Sequence, residues 1–309
     1  MSTIKGIYIR EHQVIVEMAD TPDVTSPRVI RELFEHYGLN PRRQFGQNFL
    51  IDGNIVNKIL AAVEIAESDA VIEIGPGAGA LTIAMARTGA CVIAFEIDRG
   101  LARLLKDLLQ PWPNVRVIEK DALKINWQDL IGSYFATGAS VKLVSNLPYA
   151  ISGPFMYALF KEKMPFMSAV LMFQKEVAQR LVADPGDSDY GGISVFSRYY
   201  AEGKVLFDVS NNVFWPRPKV GSAVLKLKPR RRELSSGEEA LFWHLVQGVF
   251  QQRRKTMLNN MTRLFPHARM QLPDLMEEAS IAPAIRPEQL TADQFAMLAR
   301  IIYNYHNQI

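Results

Sequence analysis

Short apolar runs recur at intervals through residues 69–229: AVIEIG (70–75), CVIAFEI (91–97), VRVIE (115–119), VKLVS (141–145), SAVLMFQ (168–174), KVLFDVS (204–210) and GSAVLKLK (221–228). Near-continuous apolar runs of this length read as strands buried on both faces. Most gaps hold helical patterns, at 79–88, 99–109, 153–162 and 174–183. Such alternation predicts a parallel sheet with helices on both faces. The gap at 184–203 is mixed: DPGDSDYGG predicts a loop, followed by a short helix. No helix separates the last two runs, which predicts antiparallel pairing at the sheet edge.

Before this region, Ser26-Pro27 gives a helix start, cap then first position, with a stop at Gly38. A second helix is predicted over 53–64. Residues 1–26 alternate weakly (IYIREHQVIV) and break at TPDVTSP, a small hairpin or a loose arm with no role that the sequence assigns. After KPRRRELSSGEEA (228–240), which reads as a linker, the pattern is helical to the end, at about 237–264, 272–279 and 291–305. The fold class is therefore α/β: a Rossmann-like, mostly parallel sheet with an antiparallel edge strand and a small C-terminal helical domain. The expected division is 1–26, 27–229 and 230–309, in keeping with ~100–200 residues per domain for a 309-residue chain.

Composition narrows the class. At 48% hydrophobic and 22% charged residues the chain is an ordinary soluble protein able to bury a core. No run approaches the ~20 apolar residues of a membrane span, and the first 27 residues carry four acids and no apolar core segment, unlike a signal or transit peptide. A cytoplasmic location is the default. Cys91 is the one cysteine and sits in an apolar run, so a buried structural thiol is expected. The five histidines have no ligand spacing, and no metal site is predicted.

Net charge is only +3, but residues 228–270 carry nine cationic side chains against three carboxylates. A local field of this kind points to a polyanionic partner. Arg230, Arg231, Arg232, Arg253, Arg254 and Lys255 are the candidate contacts. As QQRRKTMLNNM reads as a helix, Arg253, Arg254 and Lys255 cannot all share one face.

Candidate chemistry gathers at strand ends. The first strand runs into EIGPGAGALT (73–82), where glycines permit a tight turn and close approach to a ligand at a helix start. Glu96 ends the second strand, Asp121 the third and Asn146 the fourth, at successive spacings of 21, 25 and 25 residues from Gly75. Each spacing is about one strand plus its crossover. Right-handed crossovers bring all four positions to one sheet edge, and a switch point between the first and fourth strands sets Asn146 across a crevice from the glycine loop. Gly75, Gly77 and Ala80 also satisfy a dinucleotide fingerprint, so a nicotinamide oxidoreductase enters as a rival. It leaves Asn146-Leu147-Pro148-Tyr149 unexplained.

GQNFLID, EIGPGAGALT, NLPYAIS, QKEVAQRL, FWPRPKVGSAV and RRKTMLNN, with IRPEQLTADQFAML in the tail, occur in this order. Together they resemble the small-subunit ribosomal RNA adenine N6,N6-dimethyltransferase family from about residue 27 to the C-terminus. The resemblance implies S-adenosyl-L-methionine as methyl donor and two adjacent adenosines near the 3′ end of small-subunit rRNA as target. It also implies a role in ribosome biogenesis. A monomer is expected.

By motif, Asn48 and Leu50 flank the donor, Gly75 and Gly77 back it, Glu96 with Ile97 meets the ribose hydroxyls, and Asp121 with Ala122 meets the adenine. Asn146, Leu147, Pro148, Tyr149 and Phe214 are the expected catalytic set. An adenine amine is flat and weakly nucleophilic because its lone pair is delocalised into the ring. Two acceptors aimed at its hydrogens, the Asn146 side-chain oxygen and a backbone carbonyl around Leu147–Pro148, favour a pyramidal nitrogen. Tyr149 and Phe214 would stack on the base, at ~1–3 kcal/mol per ring. Glu96 and Asp121 also have a plain reading as strand-end caps, and Phe214 as core. Two further functions fit much of the same pattern: a large-subunit rRNA methyltransferase of the antibiotic-resistance type, and a non-catalytic RNA-binding assembly factor.

Overall fold

The computed structural model describes residues 7–10, 13–16, 21–135, 140–231 and 233–307. Arg232 and residues 1–6, 11–12 and 17–20 of the extension lie outside them. In chain order the elements are β1 (Ile7–Arg10), β2 (Gln13–Val16), α1 (Pro27–His36), β3 (Phe49–Leu50), α2 (Gly53–Val63), β4 (Ala70–Ile74), α3 (Ala80–Ala86), β5 (Cys91–Glu96), α4 (Arg99–Leu108), β6 (Val115–Glu119), α5 (Trp127–Tyr134), β7 (Val141–Asn146), α6 (Ser152–Lys161), β8 (Ser168–Gln174), α7 (Lys175–Val182), α8 (Gly192–Tyr200), β9 (Ala201–Val209), β10 (Phe214–Trp215), β11 (Ser222–Pro229), α9 (Ser236–Val249), α10 (Met257–Leu264), α11 (Leu272–Glu278) and α12 (Ala292–Asn307).

Seven strands form one sheet in the order β6-β5-β4-β7-β8-β11-β9. Pairing is parallel from β6 to β8, and β11 joins β8 antiparallel. The predicted sheet and its antiparallel edge are both present. β4 is entirely buried, as are five of six residues in β5 and in β7, which is why these strands read as unbroken apolar runs. Lys142 lies inside β7 because its ammonium reaches Asp69 and the Glu64 carbonyl, both at 2.7 Å. Cys91 corrects an expectation. As the first residue of β5 it sits at the strand's open end and is exposed, whereas the five residues after it are buried.

The strand order reverses between β5 and β7, on either side of β4. The β4–β7 ladder runs from Ala70↔Val141 to Ile72↔Leu143, and beyond it the Ser145 hydroxyl donates to the Ile74 carbonyl. The two strands thus part at their carboxyl ends, and a crevice opens where the topology predicts a ligand.

The chain divides into two compact units, residues 1–178 with 204–228, and residues 179–203 with 229–309. Residues 179–203 therefore depart from the expected 27–229 domain. Their apolar side chains explain the change. Phe196 of α8 stacks on Trp243 of α9 at 3.7 Å, and the Tyr200 hydroxyl accepts from Trp243 Nε1 and donates to Glu239, both at 2.7 Å. The long helix expected over 237–264 is two helices. Thr256 caps α10, its side chain accepting from Asn259 N at 3.4 Å, and a short turn intervenes. The N-terminal hairpin is present as a backbone ladder, Ile7↔Val16 to Arg10↔Gln13.

Candidate active site

A cleft of about 1000 Å³, open to solvent, lies in the first unit at the carboxyl ends of β4, β5, β6 and β7. Asn48, Leu50, Gly75, Gly77, Glu96, Ile97, Asp121, Ala122, Asn146, Leu147, Pro148 and Tyr149 all line it.

The glycine loop is the near wall. Gly75 has φ +65°, and a Cβ there would lie 2.5 Å from Pro148 Cγ; Gly77 has φ +60°, and a Cβ would meet the Phe49 ring at 3.0 Å. A side chain would strain the backbone at either position and close the gap between facing segments. The Gly75–Pro148 approach is the expected juxtaposition of glycine loop and Asn-Leu-Pro-Tyr turn across the switch point.

Glu96 is 4% exposed, and its two oxygens accept from Gly77 N at 3.2 Å and Asp98 N at 2.9 Å. Burial pushes its carboxyl up to about 7 against those two N–H groups, with the Asp98 charge adding to the rise. Ile97 beside it is half exposed at the rim. Asp121 caps the short turn Ala122–Lys124 through Leu123 N at 3.0 Å, and among the described residues its second oxygen has only the distant, exposed Lys124 ammonium at 3.8 Å. Both carboxylates act as caps, and both also line the cleft.

On the far wall Asn146 Nδ2 donates to the Asn48 backbone carbonyl at 3.0 Å. A carbonyl only accepts, so this bond fixes which end of the amide is NH₂. Oδ1 is left with no partner among the described residues. The Pro148 carbonyl is taken, accepting from Ile151 N at 3.0 Å and the Ser152 hydroxyl at 3.1 Å. Among the described residues no donor meets the Leu147 carbonyl, which leaves it as the acceptor beside Asn146. Tyr149 is half-buried, and its hydroxyl meets Ser222 Oγ at 2.6 Å, which fixes the ring's position. Asn48 turns its own Nδ2 to the Gly46 carbonyl at 3.1 Å. The 46–48 loop also presses against the Tyr149–Ala150 backbone, 2.9–3.1 Å from a Cβ built on Gly46.

Phe214 departs from its expected role. It is 3% exposed, pairs with Leu50 through β10–β3, and packs in a core with Leu81 and Met172 rather than lining the cleft. Its two-residue strand turns alternate side chains to opposite faces, and Trp215 takes the other face against Phe34 and Phe49. Phe214 therefore supports the wall that carries Leu50.

Residues that the sequence pattern did not single out include Gln47, Glu73 and Ser222. Gln47 donates to Asp98 at 3.4 Å and accepts from Arg42 N at 2.7 Å, tying the 42–48 loop to the start of α4. Glu73 lines the cleft, 1% exposed, and accepts from Thr82 Oγ1 at 2.6 Å. Burial pushes it up to about 8; the Thr82 bond opposes and the Glu96 charge adds. An acid inside the apolar run AVIEI was the available signal for Glu73. The serine of KVGSAV offered none for Ser222, whose partner is distant in sequence.

The basic candidates belong to the second unit. Arg230 donates to the Arg198 carbonyl at 2.8 Å, and Arg253 to the Tyr190 and Ser188 carbonyls at 2.7 and 3.2 Å. Arg231, Arg254 and Lys255 are exposed. Among the described residues no group of three or more His, Cys, Asp or Glu is placed to hold a metal ion, and no helix is long and apolar enough to cross a membrane.

A reversed strand order, a glycine wall, buried or capped acids after β5 and β6, and an Asn-Leu-Pro-Tyr turn after β7 define a Rossmann-like methyltransferase acting on an amine. The cleft's lining suits an adenosine-bearing donor: a carboxylate for vicinal hydroxyls, a second carboxylate for an amino group, and an apolar residue following each, Ile97 and Ala122. The model of the ribosomal RNA adenine dimethylase family matches residues 38–304, and the chain belongs to that family. It is 40% identical over 284 residues to the ribosomal RNA small subunit methyltransferase A of Geobacillus sp. (strain WCH70), covering 91% of this chain and 98% of that one. The protein of the same name from Pediococcus pentosaceus is 39% identical over 296 residues, covering 94% and 97%. A solved dimethyladenosine transferase from Plasmodium falciparum superposes with a TM-score of 0.66 at 26% identity, over 81% of this chain and 95% of that one. The 23S rRNA methyltransferase ErmE shares the fold, with a TM-score of 0.62 at 23% identity over 82% and 99%.

Proposed function

We propose that this protein transfers methyl groups from S-adenosyl-L-methionine to the exocyclic amines of two adjacent adenosines near the 3′ end of small-subunit rRNA. The product is N6,N6-dimethyladenosine, formed as a step in small-subunit biogenesis. The observation that carries this reading is the orientation of Asn146, whose NH₂ is held by Asn48 so that its oxygen is the free acceptor. The Leu147 carbonyl provides the second. Two acceptors suit the two hydrogens of a primary amine.

The donor, when bound, supplies a methyl already activated on a sulfonium sulfur. Glu96 accepts from its ribose hydroxyls, Asp121 from its adenine amino group, and Gly75 and Gly77 admit it close to the backbone. Asn146 Oδ1 and the Leu147 carbonyl bind the target amine and direct its lone pair toward the methyl. No side chain need remove a proton first, because the nitrogen becomes acidic once it carries the new methyl. Tyr149, positioned by Ser222, offers the ring on which the target base stacks. A loop adenine is the cheaper target, as a helical one must first be extruded at a few kcal/mol.

The choice of the small subunit is supported by relatives at 39–40% identity named for it. The exposed cations of the second unit suit rRNA phosphates. A cytoplasmic, monomeric protein is part of this reading. The test is transfer of labelled methyl to unmethylated small subunits, with mapping of the modified nucleotides. Two adjacent dimethyladenosines near the 3′ end are expected. Label confined to large-subunit rRNA, or none at all, would overturn the proposal.

A further inference from the structure

Within the second unit a basic turn, Gln252-Arg253-Arg254-Lys255-Thr256, separates α9 from α10. It is built as a rigid object. Asn260, on the first turns of α10, is fully buried, and its Nδ2 is shared among three carbonyls of this turn: Thr256 at 3.2 Å, Gln252 at 3.3 Å and Lys255 at 3.4 Å. Its Oδ1 is buried with no partner. A buried acceptor left unpaired costs stability, so a leucine of similar volume would suit the helix core better if packing were all that mattered. The amide is used for its donor end, and that end is spent wholly on the turn.

Arg253 pins the turn from the other side. Its guanidinium donates to the Ser188 and Tyr190 carbonyls of the loop before α8. That loop is held in turn by Gly186 N to the Glu288 carbonyl at 2.8 Å and by the Tyr190 hydroxyl to the Leu290 carbonyl at 2.8 Å. Arg254 and Lys255 are exposed and make no side-chain hydrogen bond or ion pair among the described residues. The structure thus brings RRKTMLNN, DPGDSDYGG and RPEQL into one framework and sorts three adjacent cations into one anchor and two free charges.

We propose that Asn260 and Arg253 are positioning residues which fix the 252–256 turn so that Arg254 and Lys255 meet the phosphates of the RNA substrate. This rests on the rRNA reading above and divides roles within the basic run: shape from Arg253 and Asn260, charge from Arg254 and Lys255. Pre-organisation raises affinity by removing the ordering cost at the moment of binding. Both bonds come from one terminal nitrogen, Nη2, and the shorter lysine side chain does not carry its ammonium out to that position, so lysine does not replace Arg253.

The experiment measures binding of the full-length protein to unmethylated small ribosomal subunits from ~50 to 200 mM KCl at constant magnesium, a range over which phosphate contacts weaken steeply. Arg254→Ala and Lys255→Ala should each weaken binding and lower the slope of log K against log salt by about 1. Arg253→Lys keeps the charge, and Asn260→Leu changes none. Both should still weaken binding about tenfold and flatten the slope, while donor affinity by calorimetry stays at the wild-type value. If Arg254→Ala and Lys255→Ala leave affinity and slope unchanged, this turn does not face RNA and that part of the rRNA reading fails with it. If those two variants weaken binding but Arg253→Lys and Asn260→Leu bind as wild type, the positioning role alone is overturned. Should Asn260→Leu not fold, Arg253→Lys, altered at an exposed position, decides the matter.

Discussion

The Asn146 amide nitrogen and the Asn48 backbone carbonyl, 98 positions apart, are joined by a 3.0 Å hydrogen bond that orients the whole amine-binding corner. Removing the amide removes a pre-organised acceptor, and a loss of this kind costs ~10²-fold or more in turnover. Asn146→Ala should show that drop with RNA affinity near normal. Asn146→Asp should be no better, because a carboxylate has no hydrogen for Asn48 and would repel its carbonyl. Single-turnover methyl transfer reads both variants, and wild-type turnover in Asn146→Ala would remove the assignment.

Gly75 and Pro148 touch across the switch point so closely that a methyl group on Gly75 would sit 2.5 Å from the proline ring. Gly75→Ala should therefore lose stability by ~1–3 kcal/mol from its positive φ alone, plus the clash, and should bind donor poorly. Adding Pro148→Ala relieves the clash and not the φ, so the double variant should recover part of the loss. Urea unfolding of the four proteins gives the coupling; strict additivity would mean the two segments do not meet.

Glu73 makes stability depend on pH. Its folded value of about 8 lies above the ordinary carboxyl range. Between roughly pH 4.5 and 8 the folded chain therefore keeps a proton that the unfolded chain has released. Stability from this group is complete below the unfolded value and is lost as pH rises through about 8. At about 1.4 kcal/mol per pKa unit the loss is on the order of a few kcal/mol. Thermal unfolding of the donor-free protein at pH 5, 6.5 and 8 should show the decline, and Glu73→Gln should flatten it. An unchanged pH dependence in that variant contradicts the account.

Glu96 should make donor affinity rise with pH. Below its value of about 7 the carboxyl takes up a proton and offers one acceptor fewer to a pair of hydroxyls. Calorimetry should find the donor Kd increasing by up to about tenfold from pH 7 to pH 6, with Glu96→Gln weaker throughout and nearly flat. A flat wild-type profile would mean that Glu96 is only the cap of its neighbours' N–H groups.

The sequence by itself determined the sheet, because strands buried on both faces leave unbroken apolar runs. It determined the strand-end residues too, since crossovers of constant length place them at regular spacings. Gly75, Glu96, Asp121 and Asn146 were legible for that reason, and the ordered motifs named the family. Only the tertiary structure decided contacts between segments far apart in the chain. Periodicity shows that a residue is apolar, not which neighbour receives its ring, so Phe214 read as a stacking face and proved to be core. Charge count does not distinguish an arginine bonded to carbonyls from one open to solvent, so Arg253 read like Arg254. Residues 179–203 left the first unit because Phe196 and Tyr200 found partners in Trp243 and Glu239, roughly 40 positions onward, and local pattern carries no record of such a pairing.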